Sequence, residues 1–275
     1  MSRATWTAPA LATGSLLAFA GFAWPLLASA VPADAQRAAP YVAMALVPAA
    51  IAVVALALDR EMHSAKAVAL LGVLAAIGAG IRIAGAGVGG IEAVFIVLIL
   101  AGRAYGARFG FLLGLITIAV SSLLWGGFGP WTPFQMFACA WVAAGAGLLP
   151  RIRPRVRGGA DAASASAALA ALSAVRRAGR LEILMLAGYG VAASYLFGLL
   201  MNIWFWPFAV GMGTDISYEA GAPLGTNLAS FALYSLVSST LTWDTVRAVT
   251  TVVGLALLGP ALLAALRRAK LPAAR

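Results

Sequence analysis

"FGFLLGLITIAVSSLLWGGFGPWTPFQMFACAWVAAGAGLL", residues 109–149, holds two apolar runs, Phe109–Trp125 and Phe134–Leu149, joined through GGFGPWTPFQM at 126–136. Each run is close to the roughly 20 residues that carry a helix across a bilayer. Neither alternates with the period of two that a membrane β-barrel strand needs, and both are rich in Ala, Leu and Gly. The whole chain shares this character. Of its 275 residues, 63% are hydrophobic and 10% charged, and mean hydropathy is +0.95. A soluble domain carries about 25% charged residues. The expected fold class is all-α, a polytopic membrane helical bundle.

Eight spans are predicted, at 9–31, 40–58, 65–86, 90–103, 108–126, 133–150, 181–206 and 244–266. The first has an Ala-x-Ala site at Ala28–Ala30, as a cleavable signal would. Its length and the single Arg3 before it favour an uncleaved helix. With the N-terminus inside, sixteen of the nineteen Lys and Arg residues fall on the inner side, and only Arg37, Arg82 and Arg247 do not. That asymmetry obeys the positive-inside rule and puts both termini in the cytoplasm of a multi-pass plasma-membrane protein. It also explains the net charge of +10 without nucleic acid. The basic segment 151–180 becomes a cytoplasmic linker, with Asp161 capping a short helix that ends near Gly179. The turn GAGVGG (85–90) and the long loop from Pro207 fall outside, where Gly211, Gly213, Gly221 and Gly225 would hinge a lid kept wet by Asp215 and Glu219.

Several chemistries are disfavoured by composition. The only cysteine, Cys139, and the only histidine, His63, cannot form a His/Cys metal cage, so no metal site is expected, and no cofactor. There is no GxxxxGK[ST], hence no phosphate-cradling loop.

Polar groups within the apolar spans are the candidate binding residues, because such groups are costly in a membrane. Arg82, Glu92, Asp244 and Arg247 share one outer depth, with Asp244 and Arg247 at i and i+3 on one helix face. Thr132 is placed as N-cap of the helix that Pro133 opens, and Gln135 is an amide one turn further in. Asn202, Trp204 and Trp206 join Trp125, Trp131 and Trp243 in an outer aromatic collection. Two readings stand side by side: a ligand pocket lined by these groups, or ion pairs and an interfacial belt that merely fasten helices. Ala69, Gly72, Ala76 and Gly80 form one small-residue face of the third span, suited either to internal packing or to another membrane protein.

Taken together, residues 65–270 resemble the substrate-binding S component of energy-coupling factor transporters. The resemblance is carried by AVALLGVLAAIGAGIRIAG, by the glutamate-led GIEAVFIVLILAGRAYGARFGFLLGLITIAVSSLL, by TWDTVRAVTTVVGLALLGPALLAALRR, and above all by GPWTPFQMFACAWVAAGAGLLP. It implies a six-helix core, here with two extra N-terminal transmembrane helices. The corresponding division is 1–60 for the N-terminal helices, 61–150 for four core helices, 151–180 for the linker, and 181–275 for the last two core helices with an extracellular loop at 207–243. It further implies a non-enzymatic subunit that captures a vitamin, cobalamin or another corrinoid first among them. Its partners would be a transmembrane coupling subunit, two ATPases and the bilayer. The substrate would lie among Arg82, Glu92, Trp131, Thr132, Gln135, Asn202, Trp204, Asp244 and Arg247, and the coupling subunit on Ala69, Gly72, Ala76 and Gly80. Two other readings compete: a structural or assembly subunit without a ligand, and a membrane enzyme acting through Glu92, Asp244 and Arg247 on a lipid-linked substrate.

Overall fold

The computed structural model describes residues 7–28, 38–59, 65–85, 91–152, 154 and 165–269. His63, Asp161, most of the GAGVGG turn and the end of the Ala28–Ala30 motif lie outside them. The described residues are mostly helical, with no strand among them. The helices are α1 (Thr7–Phe22), α2 (Trp24–Ala28), α3 (Ala39–Asp59), α4 (Ala65–Ala84), α5 (Val94–Tyr105), α6 (Ala107–Leu124), α7 (Thr132–Leu148), α8 (Ala165–Ala209), α9 (Leu224–Ser235) and α10 (Thr245–Arg268). A π-helical segment, Leu236–Asp244, joins α9 to α10. Among the described residues, four helical stretches are long and apolar enough to cross a membrane: Ala65–Ala84, Ala107–Leu124, Ala171–Ala209 and Leu224–Arg268.

The surface fits that assignment. On α10 the large residues Val249, Val253, Leu257 and Leu258 point outward, while Ala248, Thr251 and Gly259 point inward. Without a hydrophobic drive between helices in lipid, small residues bring helices together and large apolar ones face the chains. The α6–α7 pair is built this way. A Cβ on Gly114 would lie 2.5 Å from the Ala140 backbone, and one on Gly110 2.7 Å from the Ala143 carbonyl. Glycine i and i+4 thus let α6 touch the α7 backbone. The corner between α5 and α6 is one residue, Gly106, whose φ of +94° suits glycine alone.

Helix α5 is central. Phe95, Leu98, Ile99, Leu100 and Ala101 are all buried, and neighbours surround it on every side. At 12 residues it is about 18 Å long, too short to cross alone. The N-terminal helices are part of this packing. Phe22, fully buried, meets Phe134 edge-on at 5.0 Å. Trp141 Nε1 donates to Ser15 Oγ (3.0 Å) and Trp24 Nε1 to the Trp204 carbonyl (3.1 Å).

Four expectations are corrected. The first span is broken at Ala23, beside Pro25, which has no N–H to continue the ladder. Helix α8 does not end near Gly179 but runs 45 residues from Ala165. The alanine-rich stretch and the span after it are both good helix formers, and one glycine does not stop them. Residues 207–243 are not one long loop. Only 210–223 is non-helical, and Leu224–Arg268 is continuous. The polar run SSTLTW, read as loop, stays helical, with Ser239 bonded by Asn202 of α8 and Thr240 by Ser235 of the same continuous helix. Finally, Thr132 does not cap α7. Its Oγ1 accepts from Gly129 N (3.0 Å), closing the turn before the helix.

Candidate ligand site

Three helices meet at one charged level of the bundle. Glu92 precedes α5, Ser194 lies on α8, and Asp244 and Arg247 straddle the start of α10. Arg247 is 5% exposed and Asp244 1%. The guanidinium donates through Nη1 to Asp244 Oδ1 (2.6 Å) and to the Ser194 carbonyl (3.1 Å), and through Nε to Glu92 Oε2. Its carbon sits 4.7 Å from the Phe197 ring centroid and 5.7 Å from that of Phe95. Two aromatic faces thus add cation–π attraction to the ion pairs. A buried arginine is tolerated only with such complete pairing.

The network extends along the π segment. Ser239 Oγ donates to Asp244 Oδ2 (2.9 Å), and Asn202 Nδ2 donates to Ser239 Oγ (2.6 Å) and Ser235 Oγ (3.0 Å). Tyr195 and Thr245 hydroxyls pair at 2.9 Å. Extra residues per turn shift the hydroxyls of this segment toward α8, a use of π geometry that recurs at functional sites. Gly198 makes room for the carboxylate: a Cβ there would run into Asp244 Cγ and both its oxygens.

A second polar group sits on α4, α6 and α7. Arg82 donates to Ser121 Oγ (3.0 Å) and Gln135 Oε1 (2.8 Å). Cys139 is buried one turn beyond Gln135 on α7.

The predicted site residues therefore sort as follows. Glu92, Asp244 and Arg247 bond directly, and Asn202 reaches them through Ser239. Arg82 and Gln135 bond to each other. Trp204 is buried and stacks flat on Phe134 at 4.3 Å. Its Nε1 has no acceptor among the described residues. Trp131 is 44% exposed, and Trp125 and Trp243 are exposed with it. Thr132 is buried in the turn. Ser194, Ser235, Ser239, Phe197 and Gly198 were missed. The hydroxyl run 238–242, set in an apolar context, was the one available signal. On α4, Ala69, Gly72, Ala76 and Gly80 all face away from the bundle, and the helix packs instead through Leu71, Leu74, Ala75, Gly78 and Ala79.

Another ion cluster lies toward the far end of the same three helices. Glu182 on α8 receives Arg103 Nε from α5 (2.7 Å) and Arg267 Nη2 from α10 (2.6 Å), and Arg103 also donates to the Leu149 and Pro150 carbonyls. Twelve residues of α8 separate Glu182 from Ser194, about 18 Å of helix. Both clusters therefore fit within one bilayer thickness of about 30 Å. No protein-family model, curated protein or solved structure matches this chain.

Proposed function

We propose that this chain is the substrate-binding membrane subunit of an energy-coupling factor importer, with six core helices and an N-terminal pair packed on them. It takes up a vitamin or related micronutrient, a corrinoid being the first candidate. Partner ATPases and a coupling subunit power release. The observation that carries the reading is a partly open carboxylate, Glu92, held on the buried Arg247, with Arg82–Gln135 as a second polar pair in the bundle. The Glu92 side chain is 37% exposed although its partner Arg247 is buried, so a ligand can reach a carboxylate anchored in the bundle. An apolar bundle has no need of four charges at this depth for folding alone. The outward small-residue face of α4 supports a partner in the membrane, since such faces allow close helix approach. The charge asymmetry of the sequence supports an orientation with these polar groups toward the outer face of the plasma membrane.

One observation favours the structural-subunit reading: Arg247 already pairs with both nearby carboxylates, as a helix fastener would. Calorimetric titration of the detergent-purified chain with a vitamin panel, corrinoids first, separates the two. Saturable heat with one compound supports the binding subunit and names its substrate. No heat with any compound overturns it in favour of the fastener.

A further inference from the structure

Arg82 differs from three other arginines that bond across the bundle. Arg103, Arg247 and Arg267 each hold a carboxylate. Arg82 is half-buried and bonds only to neutral oxygens, Ser121 Oγ and Gln135 Oε1, among the described residues. A charge withdrawn from water without a counter-ion is costly, so this guanidinium is short of an anion.

Its neutral partners fix its direction. Ser121 donates its one hydroxyl proton to the Ile118 carbonyl (3.0 Å), which turns a lone pair toward Arg82. Because arginine only donates, the Gln135 atom facing it must be the carbonyl oxygen. The amide nitrogen then points away and has no acceptor among the described residues. Two of the five guanidinium N–H groups are used. The others, with the Gln135 NH₂, make a set of donors without acceptors. Trp131 stands four residues before Gln135, on the same side of the turn, and is partly exposed.

We infer that Arg82 and Gln135 form an anion-recognition pair that binds a carboxylate or phosphate group of the substrate, with Trp131 available to the adjoining flat part of the same molecule. The inference rests on the binding-subunit reading and narrows its substrate class to molecules that carry an anionic group. The fork geometry of the guanidinium suits both anions.

The test uses matched probes on the full chain in detergent, by calorimetry. Phosphate pairs are cobinamide phosphate against cobinamide and pyridoxal phosphate against pyridoxal. Carboxylate pairs are biotin against its amide and pantothenate against pantothenol. For the scaffold that binds, the anionic member is expected to bind about tenfold tighter or more. Which set shows the preference identifies the anion. Arg82→Gln should reduce the preference to about twofold or less, and Arg82→Lys should keep part of it. If Arg82→Gln does not fold, the paired comparison on the unaltered chain still decides. Equal affinity for the charged and neutral members overturns the anion pair and leaves the binding-subunit reading standing. No binding by any member overturns both.

Discussion

Gly198→Ala is the smallest change that should break the Arg247 network. A Cβ at this position runs into Asp244 Cγ, Oδ1 and Oδ2, whereas one at Gly188, on the same helix, meets nothing within 4 Å. The Asp244 carboxylate has nowhere to retreat. Oδ1 is held by Arg247 at 2.6 Å and Oδ2 by Ser239 at 2.9 Å. Overpacking costs about 1–3 kcal/mol, and pulling one member from a buried ion pair about 3–5 kcal/mol. Partial relaxation should leave a loss of about 3 kcal/mol. For a chain of this size that lowers the melting temperature by roughly 6–12 °C. Cys139 supplies the assay: it is the only cysteine and is 1% exposed. A fluorogenic maleimide added during a thermal ramp therefore reports unfolding. Gly188→Ala is the control, expected at or slightly above the parent because alanine is the better helix former. If Gly198→Ala melts together with Gly188→Ala, the carboxylate is not wedged against α8 and the site geometry described here is wrong.

Arg247→Met should cost about 3–5 kcal/mol by stranding Asp244, and adding Asp244→Asn and Glu92→Gln should recover much of it. A triple variant no more stable than the single one would mean the charges are not what holds these helices. Trp24→Phe removes the bond to the Trp204 carbonyl and should cost about 1 kcal/mol in the same ramp. An unchanged melt would show that the N-terminal helices are not fastened there. Ala76→Leu adds bulk to an exposed face of α4, so on the importer-subunit proposal melting and ligand titration should match the parent while uptake in cells carrying the proposed coupling subunit and ATPases is blocked. Uptake that persists would remove the docking role of that face.

Some of this protein is legible in its sequence. The span ranges for α3, α4, α6 and α7 match the helices closely, because each is an uninterrupted apolar run with glycine, proline or charge at its ends. Arg82, Glu92, Gln135, Asn202, Asp244 and Arg247 stood out as polar groups in costly positions, and each is bonded within the bundle. The misreadings came where local composition and tertiary partners disagree. SSTLTW looked like loop, yet Asn202 and Tyr195 give its neighbourhood hydrogen-bond partners from α8. Thr132 looked like a cap, yet its hydroxyl serves the preceding turn. Gly198 could not be distinguished from Gly188, since only the position of Asp244 separates them.

The sequence by itself determined the helical class and the apolar segments. Transfer of a side chain from water to lipid is nearly additive along the chain, so a running composition is enough to find them. Which charges meet was decided only by the tertiary structure. Glu92 pairs with Arg247 across 155 positions and Glu182 with Arg103 across 79, and neither distance is written in any local pattern. Those pairings depend on how closely α5, α8 and α10 approach. Packing of small residues at helix contacts, at Gly190, Gly254 and Gly259 among them, sets that approach only once all three helices are in place.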